Sequence, residues 1–396
     1  MSSPWLLTSD DVLRVFGGWN RPALALDSES DSLHHHREKV CLIQAGDGSG
    51  GGWLIDPLAA PDLAPLGRVL ADPAVVKVLH GADYDVVTMK RDFGFSFAAL
   101  FDTMIAARFL GLPAVGLQAI AREELGVELS KDSQRDDWSR RPLTPRQEAY
   151  ALADVAHLHV LHERLSSRLR EKGRLSWVQE ECDVVAALPP SRRRQGDDYQ
   201  GVKGARKLTP RQLALLREAF AWREAVADRT DIPSFKIMGT DALLALAQRP
   251  PKDLRHLEKL RGEVADLRSI SPRLLREQGA ELMEGLARAQ ALPEAELPRL
   301  PPSTPRPVVD EPTRLRGAAL KAWRALKAAE LAVDVSVVLP QRLLDKVAEL
   351  APRGVEDLER IEGLRRWRVA EFGPELVKEG GAGVGGSAPQ QRTLPG

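Results

Sequence analysis

Ala23-Leu24-Ala25-Leu26-Asp27-Ser28-Glu29 is the stretch that decides the fold. Its four apolar residues read as the buried first strand of a sheet. Residues two apart along a strand point the same way, so Asp27 and Glu29 at its end present both carboxylates on one face. Far downstream, Tyr150-Ala151-Leu152-Ala153-Asp154 sits in a helical pattern. Residues four apart stack on one side of a helix, so Tyr150 and Asp154 face the same direction. Carboxylates gathered in this way repel one another, and a divalent cation is the usual means of stabilising such a cluster.

Working outward from the first strand, Thr8-Ser9-Asp10-Asp11 before Val12-Leu13 marks a helix start, with Thr8 or Ser9 as its cap. Val40–Gln44 and Trp53–Ile55 are further strands, and the short polar and Gly-rich connections predict an antiparallel meander. The pattern then changes to alternating helices and strands: helix Pro61–Leu70, strand Val75–Leu79, helix Tyr84–Arg91, short strand Phe101-Asp102, helix Thr103–Leu110. That alternation argues for parallel pairing, so a mixed α/β sheet of about five strands with helices on both faces is expected. Gly116–Leu125 and Pro145–Leu169 read as helices. Between them, the polar run Ser130–Pro142 reads either as a mobile substrate-facing loop or as a surface loop anchored by Trp138.

With 396 residues the chain exceeds what one core usually organises. Residues 1–185 form the α/β domain, and 186–207 a linker containing Arg192-Arg193-Arg194, Lys203, Arg206 and Lys207, with phosphate-binding potential. Residues 208–290 are helical from Thr209-Pro210 onward, 291–312 are a Pro-rich linker, and 313–379 are helical again. Trp222-Arg223 recurs as Trp323-Arg324, and Leu257–Gly262 recurs as Leu358–Gly363 at the same spacing; Pro251 and Pro352 keep it too. Two copies of one small all-α domain follow from this. The Gly-rich tail, 380–396, is expected to be disordered.

Lys+Arg and Asp+Glu both total 56, so no global charge points to a nucleic-acid partner, and any basic surface must be local. The N-terminus lacks a basic segment followed by an apolar core, and no apolar run approaches membrane-spanning length, so a cytosolic protein without membrane contact is expected. Cys41 and Cys182 fit buried free thiols in a reducing compartment, a disulfide being the alternative.

The acids Asp27, Glu29, Asp85 and Asp154 fall where a sheet edge and one helix can meet. An all-oxygen donor set suits Mg²⁺ or Mn²⁺, and without nearby Cys₂/His₂ spacing zinc is disfavoured. Two such ions ~4 Å apart support in-line phosphoryl displacement, and a tyrosine one turn from the last acid can aim a water. Asp-x-Glu pairs and Tyr-x-x-x-Asp steps are nevertheless common by chance.

Leu26-Asp27-Ser28-Glu29, Lys77-Val78-Leu79-His80-Gly81-Ala82-Asp83-Tyr84-Asp85 and Tyr150-Ala151-Leu152-Ala153-Asp154 together resemble the three exonuclease motifs of the ribonuclease D family. That family belongs to the DEDD 3′–5′ exonucleases with tyrosine in the third motif. Val40-Cys41-Leu42-Ile43-Gln44 and Trp138-Ser139-Arg140-Arg141-Pro142-Leu143 strengthen the likeness. The resemblance implies a ribonuclease-H-like fold over 1–185, and two divalent ions held by Asp27, Glu29, Asp85 and Asp154. Tyr150 would position the attacking water. The helical repeats resemble HRDC domains, the first copy more closely. RNA with an accessible 3′ end is the implied partner, tRNA precursors among them. DNA and a catalytically inactive nucleic-acid-binding scaffold are the alternatives, and a monomer is expected. His80, Trp138, Arg140 and Arg141 are candidate substrate contacts, as are Arg135 and Arg192–Arg194. Ser28 stands where the family usually has Thr. Asp85, not Asp83, aligns as the ligand, and His34-His35-His36 reads as a loop near the substrate path in place of a metal site.

Overall fold

The chain opens with Trp5–Leu6 (β1), Ser9–Phe16 (α1), Ala23–Ser30 (β2), Val40–Gly46 (β3) and Gly52–Ile55 (β4). It continues through Ala64–Ala71 (α2), Val76–Leu79 (β5), Asp83–Phe93 (α3), Leu100–Asp102 (β6), Thr103–Leu110 (α4) and Leu117–Leu125 (α5). Pro145–Ala156 (α6), Leu158–Glu171 (α7) and Leu175–Ala186 (α8) follow. This computed structural model describes residues 4–59, 62–192, 196–301 and 309–381. Arg193 and Arg194, residues 302–308 of the Pro-rich stretch and nearly all of the expected disordered tail lie outside the described residues.

The sheet runs β1-β4-β3-β2-β5-β6. β2, β3 and β4 pair antiparallel, while β5 and β6 add in parallel, as the switch from meander to alternation predicts. The sheet has six strands where five were expected. The extra strand, β1, pairs parallel with β4 but is only two residues long, too short to carry a period-2 signal. All seven residues of β3 are buried, so both faces of the sheet are covered.

Two further differences bear on the acids. β2 does not stop at Leu26 but runs on through the carboxylates, because β3 continues opposite it: Asp27 pairs with Gln44, Ser28 with Ile43, and Glu29 with Leu42. The register shifts between Glu29 and Ser30, an irregularity that twists and ends the ladder beside the cluster. The helix expected over 145–169 breaks at His157 into α6 and α7. α6 lies across β2, β3 and β4, whereas α7 packs on β2, β5 and α4, and one straight helix could not do both.

The two helical copies superimpose element by element in sequence. Pro210–Thr230 (α9), Ser234–Ile237 (α10), Thr240–Gln248 (α11), Leu254–Glu263 (α12) and Pro272–Ala291 (α13) form the first. Glu311–Leu331 (α14), Val335–Val338 (α15), Gln341–Leu350 (α16), Val355–Leu358 (α17) and Arg366–Gly380 (α18) form the second. The repeated Trp-Arg pair does the same work in each: Arg223 donates to the Met238 carbonyl and Arg324 to the Leu339 carbonyl. The first copy has its own apolar core, whereas the second shares one continuous core with the α/β domain. Trp177 of α8 stacks on Trp367 of α18 with ring centroids 4.5 Å apart, and Glu181 pairs with Arg365 and Arg368. Cys41 and Cys182 are buried free thiols. Among the described residues no helix is long and apolar enough to cross a membrane.

Candidate active site

β2 presents Asp27 and Glu29 toward α6, on the face where Leu42, Leu54 and Ala151 pack together. The first requirement for the cluster is therefore strand alternation, and the second is the placement of α6 across that face. Thr144 caps α6 through a capping box with Gln147, and Pro145 occupies its first turn. Ten residues on, Asp154 meets the strand. Oxygen atoms of Asp27, Glu29 and Asp154 lie within 4.8 Å of one another.

Asp85 arrives from the opposite flank. β5 ends at Leu79, and the chain turns through Gly81, whose φ of +69° is a left-handed conformation that glycine adopts without steric cost. Asp102 fixes this turn by accepting from the Gly81 and Ala82 amides at 3.0 and 2.8 Å. α3 then starts with Asp83 exposed and Asp85 buried, so the turn of the helix itself selects which of the two acids faces inward. The Ser28 hydroxyl donates to Asp85. Asp85 stands outside the tight trio, yet it feels the Asp27 charge and its own charge bears on Glu29.

Burial and mutual repulsion push all four carboxyls upward. Burial first, then the Asp154 charge, raises Asp27 to about 8. Burial, then Asp27, Asp154 and Asp85, raises Glu29 to about 10. Burial raises Asp154 to about 7, against a hydrogen bond from Tyr150 that favours its ionised form. Asp85 is raised by burial and by Asp27, with the Ser28 hydroxyl opposing. Burial and the neighbouring acids also hold the Tyr150 phenol firmly protonated. A cluster this costly without counter-charge, built of hard oxygen donors and lacking sulfur or imidazole, fits a divalent cation such as Mg²⁺ or Mn²⁺.

Other expected contacts lie elsewhere. Trp138 is 1% exposed and packs beside Tyr150 with ring centroids 6.0 Å apart, so it anchors the 130–142 loop and has no surface to offer a substrate. Arg141 is similarly committed: it grips Asp56 in a two-pronged pair at 2.6 and 2.9 Å and donates to the Cys41 and Trp138 carbonyls. Arg140, by contrast, is largely exposed and touches Asp137. His80 is half-buried and bonds the Thr103 hydroxyl at 2.9 Å. The three histidines do not gather on an ion. His34 bonds the Arg135 carbonyl, His35 bridges Ser139 and Asp231, and His36 meets Ser234, joining the α/β domain to the first helical copy. Sequence reasoning missed this junction, and also missed Gln44, fully buried directly across the ladder from Asp27. The antiparallel meander was the signal that could have placed Gln44 there.

Comparison with known proteins bears on the same residues. The family model described as 3′–5′ exonuclease matches residues 12–170, and that of the HRDC domain matches 212–286 and 316–379. Ribonuclease D of Pseudomonas paraeruginosa is 34% identical over 382 residues, covering 94% of this chain and 96% of the relative. Among solved structures, Escherichia coli RNase D, described as an exoribonuclease involved in structured RNA processing, aligns with a TM-score of 0.69 at 28% identity, covering 96% of this chain and all of that one. The catalytic core of RRP6 from Trypanosoma brucei aligns with a TM-score of 0.61 at 26% identity, over 73% of this chain and 80% of that core. A carboxylate cluster on a six-stranded mixed sheet, two HRDC repeats and near full-length similarity make one case: the chain belongs to the ribonuclease D family, and it is a 3′–5′ exoribonuclease.

Proposed function

We propose that this exoribonuclease trims the 3′ ends of structured RNAs, tRNA precursors among them, with two divalent cations held by Asp27, Glu29, Asp85 and Asp154. The observation that carries the reading is the convergence of Asp27, Glu29 and Asp154 oxygens within 4.8 Å of one another, flanked by Asp85. When bound, such ions supply Lewis-acid stabilisation of charge on the scissile phosphate and promote deprotonation of the attacking water.

The chain's own residues do the rest. Asp27, which feels the Asp154 charge and whose own charge acts on Glu29 and Asp85, is central to the cluster and is the natural shared ligand. Ser28 holds Asp85 in position by donating to it, fixing which carboxylate oxygen is left for a cation. Tyr150 bonds Asp154 and remains a phenol at any working pH, so it can orient a water as a hydrogen-bonding group without acting as a base. Trp138, packed against the Tyr150 ring, limits its swing.

The test is degradation of a 5′-labelled RNA with a free 3′ tail in Mg²⁺, beside a matched DNA strand. Asp27→Asn and Asp154→Asn are expected to abolish stepwise shortening of the RNA while the circular dichroism spectrum is kept. Full Mg²⁺-dependent shortening by both variants would falsify the assignment of these ligands. DNA shortened as fast as RNA would remove the RNA preference.

A further inference from the structure

Gln44 is fully buried in β3, and neither its Nε2 nor its Oε1 has a hydrogen-bond partner among the described residues. Leaving both ends of a carboxamide unpaired costs the full desolvation of each, a loss that an apolar side chain of the same length avoids. A side chain kept at that cost points to a partner other than the core around it.

The sheet register limits what that partner can be. Directly opposed residues of an antiparallel pair project from the same face, and Gln44 lies opposite Asp27 on one side and Leu54 on the other. Along β3 itself, Leu42 and Gly46 are its neighbours on that face. α6 covers the face: Ala151 packs with Leu42 and Leu54, and a Cβ added at Gly52, opposite Gly46, would meet Leu152 and Val155. None of these neighbours offers a polar side-chain atom, whereas Asp27 offers a carboxylate. Opposed Cβ atoms stand ~5 Å apart, a span that a glutamine is long enough to bridge.

Two of the other acids already have a side chain that orients them. Ser28 donates its hydroxyl to Asp85, and Tyr150 donates its phenol to Asp154. The bond that favours ionised Asp27 comes instead from a backbone amide, that of Ser28. We propose that Gln44 is the positioning residue for Asp27: its Nε2–H donates to the Asp27 oxygen turned away from a bound divalent cation, and so fixes which oxygen faces the ion. A carboxamide suits this task because it donates without carrying charge. A lysine or arginine in its place would compete with the cation for Asp27, and a further carboxylate would add to the repulsion. The role rests on the two-cation reading above.

The experiment uses the full chain, stripped with EDTA and desalted. Mn²⁺ affinity is read by isothermal titration calorimetry and stability by differential scanning fluorimetry. Gln44→Met keeps the length of the side chain without its amide, and Gln44→Leu is a second apolar replacement. In EDTA both are expected to melt at or above wild type, because the unpaired amide is gone. Both should nevertheless bind Mn²⁺ about tenfold more weakly, as loss of a hydrogen bond behind a metal ligand does. Leu54→Val, on the far side of Gln44 in the same ladder, should do the reverse, melting lower and binding Mn²⁺ as wild type does. Mn²⁺ affinity of Gln44→Met within about threefold of wild type would overturn the proposal. So would a Leu54→Val chain weakened as much as Gln44→Met, because packing would then account for both. Loss of a cooperative melt in EDTA by both Gln44→Met and Gln44→Leu would overturn it too, by making the amide a structural group. A wild-type chain that binds no Mn²⁺ would sink the cation reading together with this role, whereas equal binding by wild type and both replacements sinks the role of Gln44 alone.

Discussion

Stripping the cluster of cations should leave a pH-dependent mark on stability that a single substitution erases. Asp27 rises from an ordinary 3.8 to about 8 on folding, and Asp154 rises to about 7. Between those limits the folded chain holds protons that the unfolded chain has released, so stability falls as pH rises through the window from about 4 to 8. pH 7 lies about three units above the ordinary value of Asp27, so at ~1.4 kcal/mol per unit keeping that carboxyl protonated in the folded chain costs about 4 kcal/mol. The Asp27–Asp154 repulsion belongs to both residues and is counted once. For a folded body of this size, 4 kcal/mol corresponds to roughly 10 °C in melting temperature. Asp27→Asn removes the charge while keeping the shape. In EDTA at pH 7 the variant is expected to melt above wild type by up to that amount, and near pH 4 the two should coincide. Millimolar Mg²⁺ or Mn²⁺ should raise the wild-type melting temperature at pH 7 and leave that of the variant nearly unmoved. Differential scanning fluorimetry across pH with and without EDTA reads all four cases. A variant that melts below wild type in EDTA at pH 7, and that still gains stability from Mg²⁺, would refute the view that Asp27 sits in a repulsive, cation-requiring cluster.

Three further outcomes are expected. Tyr150→Phe keeps the ring against Trp138 but loses the hydroxyl, so single-turnover cleavage should slow by ~10²-fold while the melting temperature stays within a few degrees. Ser28→Ala frees Asp85 and should weaken the Mg²⁺ dependence of activity by ~10-fold or more, with Ser28→Thr restoring it; an unchanged Mg²⁺ titration would remove Ser28 from the site. Trp367→Ala takes away the ring stacked on Trp177 and should cost ~3–5 kcal/mol, read as a lowered urea midpoint of the transition that includes the α/β domain.

What the sequence made legible is what local periodicity encodes. The alternation through Asp27 and Glu29, the one-turn spacing of Tyr150 and Asp154, and the doubled Trp-Arg motif each depend on residues close together in the chain. The placement of Asp85 came from a motif whose turn, at Gly81, is also local. What remained hidden depends on distant partners. β1 has only two residues and exists because β4 offers it a ladder. Arg141 looked available for phosphate but is claimed by Asp56, 85 positions away, and no local pattern announces that pair. The break at His157 carries no glycine or proline; it is imposed by two packing sites, one on the β2–β4 face and one against β5 and α4. The histidine run had a similar fate, since its partners Asp231 and Ser234 belong to another domain.

The two HRDC copies show how one repeated sequence comes to serve two ends. The second is joined to the α/β domain by apolar surface: Trp177, Trp367 and Phe372 form a stacked and edge-on cluster, and the buried Arg368 is neutralised by Glu181. Separating it would expose that cluster to water at the usual ~25 cal/mol per Å² and leave charges unpaired, so it behaves as part of the nuclease body. The first copy keeps its core to itself and meets the α/β domain through His35, His36 and Arg37. Contacts of this exposed polar kind are each worth ~0–1 kcal/mol and exchange readily with water or phosphate. The asymmetry lies in a few side chains, Trp177 and Glu181 on one side and the histidine loop on the other.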